Sequence, residues 1–97
     1  MIDRVTALDV LGRCKGRLAD SYGITTLGIF GSVARGEASD GSDVDVVVEM
    51  VKPNLFTLVH VKEELEEALH QQVDIVHYRS KMNAFLKQRI DREVIYV

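Results

Sequence analysis

Apolar positions recur along this chain first with a helical period, then with a strand period, and the two alternate to the end. From about Asp3 to Tyr22, Val5, Leu8, Leu11, Leu18 and Tyr22 fall on one side, with Val10 and Cys14 flanking. That spacing predicts one face of a helix. Asp3 or Thr6 can cap it, and Gly23 fits its C-terminal stop. Gly12 and Gly16 lie inside and weaken it by roughly 1 kcal/mol each relative to alanine. Ile24 to Phe30 then reads as a strand, β-branched at Ile24, Thr25, Thr26 and Ile29, with Gly28 allowing a close approach. Gly31-Ser32 breaks it, and Ser32 can cap a short helix through Val33-Ala34-Arg35. A polar loop, Glu37 to Ser42, leads to a second strand, Val44 to Met50, which Lys52-Pro53 ends.

Asn54 can cap the second long helix, which runs to about His70. Leu55, Leu58, Val61 or Lys62, Leu65 and Leu69 make its buried stripe, while Glu63, Glu64, Glu66 and Glu67 make a solvated face. Gln72 to His77 reads as a third strand, with Val73 and Ile75 on one side and Asp74 and Val76 on the other. Asn83 to about Arg92 reads as a short helix with Phe85, Leu86 and Ile90 inward, and Val94 to Val97 as a terminal strand or tail. The order predicts an α+β fold, close to α/β, with a small mixed sheet and helices mainly on one face. Residues 1–97 are expected to form one domain.

Composition narrows the function. A chain of 97 residues buries only about two-thirds of its surface, so one small core is all it can build. Hydrophobic residues make up 46% and charged residues 28%, as in an ordinary soluble domain. The net charge of −3 argues against direct nucleic-acid binding, which needs a basic face. Cys14 is the only cysteine, which excludes a disulfide framework and a cysteine-rich zinc site. With no signal-peptide core and no apolar run near the length of a membrane span, a cytoplasmic protein is the expectation. The three histidines, His60, His70 and His77, lack a metal-ligand spacing.

The departure from pattern lies between Gly36 and Val51, which holds Glu37, Asp40, Asp43, Asp45 and Glu49 and no base. Asp43 and Asp45 alternate with valines, so both point to one side of the second strand while Val44, Val46 and Val48 point into the core. Aspartates in a valine strand work against strand propensity, and a rule broken so locally is expected at a functional site. Asp74 repeats the anomaly in the third strand. If the second and third strands pair, the three carboxylates converge and repel one another, which raises their pKa values. A hard divalent cation removes that cost, and magnesium takes carboxylate oxygens, waters and substrate phosphates. Strand, Gly31-Ser32 turn and helix start would present backbone N–H groups to an anion, without the spacing or lysine of a P-loop. Metal beside phosphate donors is the equipment for phosphoryl or nucleotidyl transfer.

Gly31-Ser32, ten residues, then Asp43-x-Asp45 resembles the G-S-x10-D-x-D signature of the superfamily that includes DNA polymerase β. The string GSVARGE…SDVDVVV, with Asp74 in a later VDIV strand, is similar to the minimal nucleotidyltransferases (MNT), antitoxin halves of HEPN–MNT pairs. The resemblance covers nearly the whole chain and implies a nucleotidyltransferase fold. It implies that Gly31 and Ser32 hold the triphosphate of ATP, and that Asp43, Asp45 and Asp74 bind Mg2+. Asp74 would also help deprotonate the acceptor hydroxyl. Arg35 matches the arginine of the GSxARG string, with either phosphate or an acid of the site as its partner. The implied activity is transfer of AMP to a tyrosine of a HEPN-domain toxin. The chain has no room for a domain that selects an acceptor, so the partner must supply that surface, in a homo- or hetero-oligomer. Two alternatives stand beside this reading: an antitoxin that silences its partner by binding alone, and an aminoglycoside-type nucleotidyltransferase, which wants a longer chain.

Overall fold

The computed structural model describes residues 2–97. Four helices and four strands follow in the order α1 (Arg4–Tyr22), β1 (Ile24–Phe30), α2 (Gly31–Arg35), β2 (Val44–Met50), α3 (Leu55–Leu69), β3 (Val73–His77), α4 (Ala84–Glu93) and β4 (Ile95–Tyr96). The sheet runs β3-β2-β1-β4. β1 is antiparallel to β2 and to β4, while β2 and β3 are parallel, joined by α3 as the crossover that parallel strands require. The mixed α+β architecture is therefore the expected one.

Local chemistry sets the helix ends. The Asp3 carboxylate accepts from the Thr6 N–H at 2.8 Å and starts α1, and Gly23 closes it in the left-handed conformation. The Asn54 side chain accepts from the Phe56 and Thr57 N–H groups and starts α3. Asn83 caps α4 through the Leu86 N–H. Ser32 does not cap α2: that helix begins two residues earlier than expected, at Gly31, with extended Phe30 at its N-cap and no side-chain cap bond. Ser32 thus lies within the first turn.

Two apolar layers flank the sheet. α1 and α3 cover one face, where Leu11, Leu18, Leu27, Ile29, Val44, Val46, Val48, Val61 and Leu65 form the main core. The face that carries the aspartates is not left open, as the valine alternation alone would suggest. Phe30, Val47, Met82 and Ile90 form a second cluster there, joined by Val76, Tyr78, Leu86 and Val94. Val47 shares the side of Asp45, and with Phe30 and Val76 it gives α4 an apolar surface to pack on. Val5, Leu55 and Phe85, each expected inward, are 75%, 74% and 84% exposed. All three sit in the first turn of their helices, whose buried positions begin only at Ala7, Val61 and Ile90. No helix among the described residues is long and apolar enough to cross a membrane.

Candidate functional site

One row across the sheet assembles the candidate site. Phe30, the last residue of β1, pairs with Asp45 of β2, and Asp45 pairs with Asp74 of β3. Asp43 lies just before β2, two residues from Asp45 and on the same side. The strand that ends at Phe30 turns at once into Gly31, so the turn abuts the aspartate row. Asp43 and Asp74 are exposed, and Asp45 is half-buried.

Asp45 and Gly31 are fitted to each other. Gly31 has a φ of 75°, and a Cβ built on it would overlap Asp45 Oδ2 and lie 2.9 Å from Asp45 Cγ. The glycine is therefore required twice, by its left-handed backbone and by the carboxylate against its Cα. Burial pushes the Asp45 carboxyl above the usual carboxylate range, and the neighbouring Asp74 adds to the shift. The Arg89 guanidinium opposes it, from 4.0 Å, and Asp43 adds a smaller push upward.

A second set of charges lies behind the turn. Glu93, the last residue of α4, accepts from the Gly31 N–H through Oε1 at 3.0 Å and from Arg35 through Oε2 at 3.0 Å. Arg89, one helical turn earlier, reaches Glu93 Oε1 through Nε at 3.4 Å and lies over the Phe30 ring. Arg35 also donates from Nε to Glu37 at 3.1 Å. Burial of the Glu93 carboxyl works to raise its pKa, but the Gly31 N–H, Arg35 and Arg89 outweigh it and hold it below the ordinary value. Arg35 is thus paired with acids, but with Glu93 and Glu37 rather than with the strand aspartates.

The aspartates fit a metal of one kind. Among the described residues no three carboxylate, imidazole or thiolate side chains stand close enough to enclose an ion. A closed protein cage is thereby excluded. Magnesium does not need one: it keeps several waters and is bound by one or two carboxylates plus substrate phosphates. Asp45 beside Asp74, with Asp43 at the edge, is an open hard-oxygen set of that type.

The structure places Gly31, Ser32, Arg35, Asp43, Asp45 and Asp74 at one end of the sheet, with Asp45 and Asp74 paired, but the three aspartates do not converge into one metal-sized cluster as the sequence reading expected. Sequence reasoning missed Arg89 and Glu93. Their spacing of four places both on one helix face, but nothing in the local pattern says that this face meets Gly31.

Comparisons with known proteins give the family and the fold. The model of the family described as Polymerase beta, Nucleotidyltransferase matches residues 13–97. Protein adenylyltransferase MntA of Thermococcus cleftensis is 36% identical over 89 residues, spanning 91% of this chain and 89% of that protein. A solved structure described as a candidate minimal nucleotidyltransferase superposes with a TM-score of 0.73 at 34% identity, across 97% of this chain and 95% of that one. A chain from the solved complex of tri-AMPylated HEPN toxin with MNT antitoxin of Shewanella oneidensis gives a TM-score of 0.68 at 20% identity. It covers 93% of this chain and 70% of that one, and the likeness is one of fold.

Proposed function

The chain belongs to the polymerase beta nucleotidyltransferase family, and from that premise we propose that it transfers AMP from ATP to a tyrosine hydroxyl of a HEPN-domain toxin and so acts as its antitoxin. The observation that carries the reading is the pairing of Asp45 with Asp74 beside the Gly31 turn. A pure binding module has no need of two carboxylates side by side in a strand pair, where their repulsion is unfavourable. The name of the Thermococcus relative and the AMPylated toxin of the Shewanella complex support the choice of AMP and of the partner.

Each residue has a defined task. Ser32 and the turn that Gly31 opens receive the triphosphate, the Gly31 N–H itself being taken by Glu93, and Arg35 sets positive charge beside it. Asp43, Asp45 and Asp74 would hold Mg2+, which supplies charge neutralisation at the phosphoryl oxygens. Asp74, exposed on β3, accepts the proton of the acceptor hydroxyl. The acceptor oxygen forms a bond to the α-phosphorus as the bond from that phosphorus to the pyrophosphate oxygen breaks, and pyrophosphate leaves. The exposed aspartates suit a macromolecular acceptor that brings its own hydroxyl to the site.

The test incubates the protein with ATP, Mg2+ and the product of the adjacent gene, and weighs the partner. The parent should add one or more AMP units and protect at catalytic amounts. Asp74→Ala should bind the partner yet neither modify nor protect. Full protection by Asp74→Ala with no mass change would establish silencing by binding and overturn the catalytic reading.

A further inference from the structure

We propose that Glu93 is a positioning residue for nucleotide transfer, whose carboxylate ties the Gly31 N–H, Arg35 and Arg89 into one prearranged unit beside the phosphate site. The inference rests on the nucleotidyltransferase reading and adds a residue to its machinery.

Three observations carry it. The first is connectivity. Both oxygens of Glu93 are used: Oε1 takes the Gly31 N–H at 3.0 Å and Arg89 Nε at 3.4 Å, and Oε2 takes Arg35 at 3.0 Å. One side chain therefore joins α4 to the turn between β1 and α2. The second is placement against local preference. Glu93 is the last residue of α4, where the negative end of the helix dipole disfavours a carboxylate. Its side chain is only 16% exposed, so it has also left solvent. A residue that breaks both rules is held by what it contacts, and what it contacts is the candidate site. The third is the division of the turn. The Gly31 Cα faces Asp45 while its N–H faces Glu93, so one residue is gripped from the metal side and from α4. Fixing Gly31 fixes the start of α2, and with it Ser32 and the backbone that follows.

Arg35 shows why the grip matters. Its guanidinium is held on two sides, by Glu93 at 3.0 Å and by Glu37 at 3.1 Å. An arginine side chain free in solvent loses much rotamer freedom when it binds phosphate. Clamped by two carboxylates, it has already lost that freedom, and the cost falls outside the binding step. Arg89 is held in the same way, between Glu93, Asp45 and the Phe30 ring.

The experiment compares the parent with Glu93→Gln, Glu93→Ala, Arg35→Gln and the double variant Glu93→Gln with Arg35→Gln, each as the full chain with its partner. Calorimetry with ATP and Mg2+ gives nucleotide affinity, steady-state AMP transfer gives kcat and KM, and thermal unfolding checks the fold. Glu93→Gln keeps an acceptor for the Gly31 N–H but loses the charge that holds Arg35. It should raise the KM for ATP by roughly tenfold while kcat changes less, and Glu93→Ala should cost more, in the range of roughly ten- to a hundredfold for a displaced positioning group. Because Glu93 acts in part through Arg35, the double variant should lose less than the sum of the two single losses. Additive losses would overturn the proposal. So would unchanged kinetics in Glu93→Ala, and so would tighter ATP binding by it, which would make Glu93 a gate instead of a strut. If the parent itself transfers nothing, it is the functional reading that fails, and the Asp74→Ala comparison identifies that case separately.

Discussion

Gly31 lies against the carboxylate of Asp45 so closely that a single added carbon would occupy the place of Oδ2. The pairing of Phe30 with Asp45 brings them together, since β1 ends where the aspartate stands. The same glycine that lets the chain turn thus leaves room for the acid.

Gly31→Ala should therefore do two things. The left-handed backbone at φ 75° disfavours alanine, and the methyl group displaces Asp45. We expect a loss of about 1–3 kcal/mol in stability, the usual scale for a residue held in a sparsely populated conformation. Nucleotide–metal affinity should fall with it. Gly41→Ala is the control: its φ is 86°, but no atom lies within 4 Å of the added carbon. It should cost stability while leaving affinity unchanged. Urea unfolding and calorimetry on both variants separate strain from displacement of the acid.

Asp45→Asn should abolish transfer and raise the stability of the metal-free protein. Burial and Asp74 lift the folded-state pKa of Asp45 above its unfolded value. The fold then favours the protonated form, so stability is full below the unfolded pKa and declines as pH rises through the folded one. Asparagine removes that decline. Across the acid range in chelator, the melting temperature of the parent should lose ground to that of the variant as pH rises. A parallel pair of curves would mean that Asp45 carries no such penalty.

Ser32→Ala should weaken ATP binding by about 1 kcal/mol, the net value of one hydrogen bond. Ser32 makes no capping bond to α2, so the melting temperature should not move. A lowered melting temperature with unchanged ATP affinity would assign the hydroxyl to the fold.

Tyr78, which follows β3, gives an alkaline marker for the docking of α4. Its hydroxyl donates to Asp91 at 2.7 Å, and that bond, with burial and the charge of Asp91, pushes its pKa up to about 12. The raised pKa means a contribution to stability that is complete below the ordinary tyrosine value and disappears as pH climbs toward about 12. Tyr78→Phe should lose part of the stability near neutrality and show a shallower fall in alkali. Phenolate absorbance should show one late-titrating tyrosine missing from the variant.

Much of the architecture could be read from the chain because it depends on short-range pattern. Asp3, Asn54 and Asn83 start helices through bonds to N–H groups only two or three residues away. The valines of β2 alternate with aspartates, so the strand period put Asp43 and Asp45 on one side and Asp74 opposite Val73 and Ile75, while the pairing that sets Asp74 beside Asp45 came from the fold. The first turns of the helices misled for the same reason. Val5, Leu55 and Phe85 fit the helical stripe, but periodicity does not say where a helix stops touching the sheet.

By itself, then, the sequence determined the element order, the faces of the strands and the family, since period, caps and the GS…DxD spacing are all local. Tertiary structure alone decided that α4 crosses the aspartate-bearing face over Phe30 and Val47. It alone brought Glu93 onto a glycine N–H 62 residues away in the chain, and Arg89 to Asp45. Those contacts depend on how strand twist and the second apolar cluster orient the last helix, and no local pattern encodes that orientation.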